Sequence, residues 1–329
     1  MWSRAWLASA ALGLLAGRAG VGDAERTYPC YRPAVAPVPD GDIAGDPAWQ
    51  DIPAATGFSV LGGTYAVLKQ TDVWACWDDE ALYVAMSCEE PDAPLIKPTV
   101  PDGGPAWLDD GVEIFIQPGA SRHVYQFVIT AGGARGSGEV LPDLAQVQVG
   151  TKIEHDAYSV EARIPYSILG ARPAVGDRWR GNFCRNIFTK RSGGDQVTTW
   201  APLKSRFLEP ESFAVIDFFG PAPDAGGAQR IAEGMNRAYR ARLVGELQAA
   251  AAQEPEYAPA LSEASRDAEF GERASDLQAR WGKAEAAVRS ARRVPLPELR
   301  RIVRGADALL KDSYDLKYAY LIARLLREN

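Results

Sequence analysis

Between Asp40 and Phe219 the chain consists of short apolar runs that alternate in steps of two, with turn residues between them. In TDVWACWDDEALYVAMSC, Leu82, Val84, Met86 and Cys88 alternate with Tyr83, Ala85 and Ser87, and Asp78-Asp79-Glu80 supply a turn, so the segment predicts a hairpin. VEIFIQ and VYQFVIT continue the pattern, the second ending at Ala131-Gly132-Gly133. YSVEARIP sets Tyr158, Val160, Ala162 and Ile164 on one face and Ser159, Glu161 and Arg163 on the other. Pro165 closes the run, because proline has no N–H to give to a ladder. RGNFCRNIF and FAVIDFF supply late strands. Many strands without intervening helices predict a two-sheet antiparallel β-sandwich, and a parallel α/β sheet lacks its crossover helices.

GPAPDAGGAQ, Gly220 to Gln229, is dense in Pro and Gly, and beyond it the apolar period changes to about 3.6. Three helical segments are expected in this C-terminal α-helical region. The first runs from Ala228 to Ala252, with Ile231, Met235, Tyr239, Leu243 and Leu247 on one side. The second carries Phe270, Ala274, Leu277, Trp281, Ala284, Val288 and Ala291 in steps of four and three, a seam suited to helix packing. Pro295 and Pro297 separate it from the third, where Leu299, Ile302, Val303, Ala306, Leu309 and Leu310 form the apolar face and Tyr314, Tyr318 and Tyr320 extend it. A local helical hairpin or small bundle accounts for these faces. Self-association or a protein partner is the alternative.

Composition narrows the function. With 329 residues, 47% hydrophobic and 24% charged, the chain suits two globular domains. A net charge of -7 argues against a nucleic-acid partner, whose phosphates call for a basic patch. The first residues, MWSRAWLASAALGLLAGRAGVGDA, order a positive charge, a short apolar run and small residues, as a signal peptide does. That run is too short for a membrane span, and nothing later resembles one. Residues 1–24 are therefore expected to be a signal peptide, 25–220 the β domain and 221–329 the linker and helices, in an extracytoplasmic (periplasmic, surface or secreted) protein. Export would permit up to two disulfides among Cys30, Cys76, Cys88 and Cys184. Cys76–Cys88 is the least favoured pairing: hairpin register places Cys76 opposite Leu82, with Cys88 about 20 Å along the strand.

Seven segments then fall in a recognisable order: DGDIAGDPAW from Asp40, WDDEALYVAMSCEEPD from Trp77, WLDDGVEIFIQP from Trp107, YSVEARIP from Tyr158, GDRWRGNFCRN from Gly176, TTWAP from Thr198 and FLEPESFAVIDF from Phe207. Together they resemble the carbohydrate-binding family 9 domain over residues 38–220. The resemblance implies a β-sandwich that binds a mono- or oligosaccharide, or a polysaccharide chain end, without catalysis. It places one binding aromatic at Trp107 and a carboxylate at Glu113. Phe207 stands where the family carries a second, tryptophan aromatic. Gln126 or Val128 stands near a polar position on the following strand, and Arg185 is a candidate donor. Aromatic faces would cover the C–H faces of a sugar ring while carboxylate, amide and guanidinium groups read its hydroxyls. Each residue also has a plainer reading: Trp107 as a rim cover, Glu113 as a solvated strand charge, Phe207 as a loop anchor, Gln126 in sheet hydrogen bonds, Arg185 in an ion pair. Trp49, Trp74, Trp179 and Trp200 read as packing residues and Trp77 as hairpin support.

Three other chemistries are weighed. Asp109, Asp110 and Glu113 invite a glycosidase reading, but neighbours in a strand point to opposite faces, and hydrolysis needs two carboxyls at about 5–5.5 or 6.5–9.5 Å. No catalytic constellation is expected. Domains of this kind often carry structural calcium, for which Asp40, Asp42, Glu89, Glu90 and Asp92 are candidates, with solvated acidic turns as the alternative. Met86, His123 and His155 are conceivable haem ligands, but no attachment motif accompanies them and Met86 follows the inward phase of its hairpin.

Overall fold

The computed structural model describes residues 26–63, 69–138, 144–189, 196–291 and 293–328, so the expected signal peptide lies outside the described residues. The described residues form two compact units, divided between Met235 and Asn236.

The strands of the first unit are β1 (Thr27–Arg32), β2 (Ser59–Val60), β3 (Thr71–Trp77), β4 (Ala81–Glu89), β5 (Gly111–Gln117), β6 (Tyr125–Thr130), β7 (Arg135–Gly136), β8 (Gln148–Ile153), β9 (Ala157–Pro165), β10 (Arg178–Ile187), β11 (Gln196–Thr199) and β12 (Ala214–Pro221). They follow one hydrogen-bonded path, β7-β6-β5-β10-β12-β1-β3-β4-β9-β8, with β11 on β10 and β2 on β11. β1 runs parallel to both of its neighbours, and the other pairings are antiparallel. The result is a curled, largely antiparallel sheet. The clean division into two sheets expected from the sequence is blurred because β1 pairs with both halves.

One core fills the curl. Val84, Met86 and Cys88 of β4, Tyr158, Val160, Ala162 and Ile164 of β9, Val112, Ile114 and Ile116 of β5, and Phe127 and Ile129 of β6 pack into it together. Each fully buried large apolar side chain contributes about 1.5–3 kcal/mol, so the alternating pattern sets which face turns inward. The outer face of β4 carries a smaller cluster of Trp49, Ile52, Cys76, Ala81, Tyr83 and Ala85. Here the indole of Trp49 donates to Glu161 Oε1 at 2.6 Å, and the Gly41 N–H donates to Oε2 at 2.7 Å. Gly41 has φ +92°, and a Cβ there would lie 2.6 Å from the Thr151 carbonyl carbon, so only glycine brings this N–H so close.

The β3–β4 hairpin turns at Asp78–Glu80 as expected, but Cys76 faces Tyr83, one position from the anticipated Leu82, and Cys88 faces Thr71. All four cysteines are buried free thiols, so the disulfides that export would permit are not formed. Cys30 and Cys88 sit in the main core, Cys76 in the outer cluster, and Cys184 in a third cluster with Phe115, Leu203 and Phe213. The haem reading fails similarly, since Met86 is enclosed in the core while His123 and His155 are exposed. Trp49, Trp77, Trp179 and Trp200 are buried packing residues, and Trp77 donates to the Phe219 carbonyl at 2.9 Å.

The helices are α1 (Tyr166–Leu169) and α2 (Ala225–Met235) in the first unit, then α3 (Arg237–Ala251), α4 (Glu254–Ala264), α5 (Gly271–Arg289) and α6 (Leu296–Glu328) in the second. The single helix expected over 228–252 breaks at Asn236 (φ -90°, ψ 8°) into α2 and α3. α4 is a helix beyond the three expected, and it carries Pro255 and Pro259. A proline in the first turn costs nothing in hydrogen bonds, and Pro259, inside the helix, is tolerated while Tyr257, Leu261 and Ala264 are buried. The α5 seam packs within the chain: the Trp281 indole donates to Ser313 Oγ at 3.0 Å, and Phe270 meets Tyr320 edge-on at 5.8 Å. Among the described residues no helix is long and apolar enough to cross a membrane.

Candidate functional site

β5 lies between β6 and β10, and register decides what each face presents. Glu113 stands opposite Val128 on one side and Cys184 on the other, while Phe115 stands opposite Gln126 and Asn182. Directly paired residues share a face, so Glu113, Phe115, Gln126, Cys184 and Asn186 point one way. Ile114, Phe127, Phe183 and Arg185 point into the core.

On the first face opens a cavity of ≈ 390 Å³. Its polar part is made by Glu113, Gln126 and Asn186, its apolar walls by Trp107, Phe207, Phe188, Leu61 and Val197, with Gly138 at its edge. Glu113 is only 4% exposed. Its Oε2 accepts from Gln126 Nε2 at 2.7 Å and its Oε1 from Asn186 Nδ2 at 2.8 Å. Burial pushes this carboxyl above the ordinary carboxylate range, and the two amide donors pull part of the way back. Each oxygen accepts one of these bonds and keeps further lone-pair capacity for a ligand donor. The Gly138 N–H donates to Gln126 Oε1 at 3.2 Å, which fixes the orientation of the amide. A Cβ at Gly138 would meet that oxygen at 2.4 Å and displace the end of the Gln126 side chain.

The aromatic walls are braced from behind. Trp107 lies in a short turn, Ala106–Leu108, and is 40% exposed. Just after it, Asp109 accepts from the N–H groups of Thr99 and Val100 at 2.7 and 2.8 Å and from the Thr99 hydroxyl at 2.8 Å. Asp110 accepts from the Phe188 N–H at 3.0 Å and lies 3.4 Å from the Thr189 hydroxyl. The two aspartates are therefore braces for the walls, and neither lines the cavity with Glu113. Phe207 rests edge-on against Phe115, with ring centroids 6.4 Å apart. Its loop is organised by Glu209, which accepts from the N–H groups of Lys204, Ser205 and Arg206 at 2.7–3.0 Å and from the Ser205 hydroxyl at 2.8 Å. These donors, the Lys204 N–H first, hold the Glu209 carboxyl down to about 2.

The cavity thus unites Trp107, Glu113, Gln126 and Phe207. Arg185 is the exception. Strand alternation turns it to the core face, where it is fully buried and pairs with Glu90 at 3.1 Å. It also donates to the Glu89 carbonyl at 3.0 Å and lies over the Tyr158 ring at 5.1 Å. Its neighbour Asn186 has the correct parity and supplies the amide; alternation counted from Glu113 across β10 is the signal that would have found it. Phe188, Leu61, Val197 and Glu209 carried no motif, because their roles come from loops meeting in space.

The proposed calcium ligands do not converge. Among the described residues no group of three or more His, Cys, Asp or Glu side chains is arranged to hold a metal ion. Asp42 pairs with Lys152 at 3.2 Å, and Asp40 accepts from the Asp42 N–H at 2.8 Å. Glu90 and Asp92 lie elsewhere, beside Lys69 at 2.6 and 3.4 Å.

A carbohydrate binding module family 9 from Caldicellulosiruptor kristjanssonii, solved in complex with cellotriose, is 19% identical over 60% of this chain and 95% of its own, with a TM-score of 0.47. A putative carbohydrate-binding protein from Bacteroides uniformis is 16% identical over 59% of this chain and 100% of its own, with a TM-score of 0.48. No curated protein sequence matches. Residues 40–217 match the family described as "Carbohydrate family 9 binding domain-like", a span from the Gly41 clip to β12 that contains the cavity's aromatic walls and its polar triad, and the chain belongs to that family.

Proposed function

We propose that the cavity bounded by Trp107 and Phe207 binds a mono- or oligosaccharide, including the end of a polysaccharide chain, and performs no chemistry on it. The observation that carries this reading is the convergence of three aromatic side chains, Trp107, Phe188 and Phe207, and one buried carboxylate, oriented by two amides, on a single open cavity. Aromatic faces suit the C–H faces of a pyranose, and an oriented carboxylate accepts its hydroxyls. The desolvation cost of Glu113 is met before ligand arrives, because Gln126 and Asn186 already hold it; such preorganisation lowers the cost of binding. Hydrolysis would need a second carboxyl across the bond, and Asp109 and Asp110 are engaged elsewhere. The two halves of the curled sheet serve as the layers of a sandwich-like scaffold. Export, carried by the charge–apolar–small order of residues 1–24, would set the protein among extracytoplasmic glycans.

Glycan-array screening followed by calorimetry tests the reading. The expected outcome is binding of a neutral saccharide that weakens at least tenfold in Trp107→Ala, as for a central aromatic contact. An array without hits, or unchanged affinity in the variant, would overturn it.

A further inference from the structure

The acidic turn after β4 was a candidate for calcium, yet its oxygens already surround a cation supplied by the chain. Lys69 is 5% exposed. Its Nζ lies 2.6 Å from Glu90 Oε1, 3.4 Å from Asp92 Oδ2, and 3.2 Å from both the carbonyl and the hydroxyl oxygen of Thr189. Two carboxylates, a carbonyl and a hydroxyl are the hard-oxygen set that calcium takes, but calcium draws six to eight oxygens to about 2.3–2.6 Å. The spacing here is that of N–H···O bonds, with nitrogen at the centre. Both oxygens of Glu90 are also engaged, Oε1 accepting from the Asp92 N–H at 3.1 Å and Oε2 from Arg185 at 3.1 Å. The residues present do not fit a bound metal ion.

We propose that Lys69 is a built-in cation that takes the place of a divalent metal in this cluster and ties the acidic turn to the segment behind the cavity wall. The tie runs from the Lys69 ammonium through the Thr189 hydroxyl to Asp110, which also accepts from the N–H of Phe188, a wall residue. Charge gives the reason for a cation here. Among the described residues, Lys69 and Arg185 face Glu90, Asp92 and Asp110, two positive groups against three carboxylates. Without Lys69, one guanidinium would face three buried carboxylates, a deficit that one divalent ion would remove. With Lys69 the fold is independent of metal supply.

The test reads stability and metal binding, so its outcome is separate from whether a sugar binds. Wild-type protein is expected to show the same melting temperature in EDTA and in millimolar calcium chloride, and no calcium heat by calorimetry. Lys69→Ala is expected to melt on the order of 10 °C lower in EDTA, since removing one partner strands buried charge, and to recover several degrees in calcium. A wild-type response to calcium or EDTA overturns the proposal, as does a Lys69→Ala melting temperature equal to wild type in EDTA. If Lys69→Ala is unfolded in EDTA, folding on addition of calcium supports the proposal. If it folds in neither condition, the wild-type titration decides: a flat response supports the built-in cation and a calcium response refutes it.

Discussion

Glu113→Gln isolates the charge of the cavity from its shape. The side chain is 4% exposed, and both its oxygens accept amide N–H bonds, from Gln126 and Asn186. Glutamine keeps one acceptor and turns the other into a donor that would confront an amide N–H. Gln126 is held by the Gly138 N–H on its own oxygen, so Asn186 is the amide that reverses. Folding should be little affected, because a neutral side chain also avoids the desolvation that raises the Glu113 carboxyl. Ligand binding is different: one charge-assisted hydrogen bond is replaced, at about 1.5–3 kcal/mol, which is roughly a 10- to 150-fold rise in Kd. The pH dependence has a definite sign. A carboxyl whose folded pKa is raised destabilises the fold as pH climbs through the interval between its unfolded and folded values. Glu113→Gln therefore removes a small loss of stability on the neutral side. Wild-type affinity falls as acid protonates Glu113, and the variant's affinity does not. Calorimetric titrations from neutral to mildly acidic pH, beside thermal melts, measure both. Equal affinity of the folded variant and wild type would refute the role assigned to Glu113.

Glu209→Gln should weaken ligand binding without abolishing it, since Phe207 loses the loop that presents it, and should cost about 1–3 kcal/mol in urea unfolding. The Glu209 carboxyl is held down to about 2, so its stabilisation is complete above the unfolded pKa near 4.3 and is lost as pH falls towards 2; acid unfolding of the variant should lack that component. Trp281→Ala should destabilise the helical unit by about 3–5 kcal/mol, seen by circular dichroism, because a buried indole and its bond to Ser313 are removed together. Sugar affinity should be unchanged in that variant.

β3, β4, β5, β6 and β9 were legible because a sheet with one face in a core writes a period of two into its sequence. The α5 seam was legible because a buried helix face writes steps of three and four. α4 was not, since local breaker rules weigh Pro255 and Pro259 without the burial of Tyr257 and Leu261 that outweighs them. In the site, Trp107 and Glu113 lie six residues apart on one motif, and Gln126 belongs to the neighbouring strand. For Arg185 the ion-pair reading holds, and parity across β10 selects Asn186 for the cavity.

By itself the sequence determined the strand-rich domain, the helical region after it, the family, and four of the cavity's side chains, Trp107, Glu113, Gln126 and Phe207, since all of these follow from periodicity or from ordered local motifs. The tertiary structure alone decided that β1 joins both halves of the sheet, that the four cysteines are buried free thiols, and that Lys69 and Arg185 pair with the acidic turn. Those outcomes depend on register and on charges brought together from Lys69, Glu90 and Arg185, residues far apart along the chain, and no local pattern encodes such a distance.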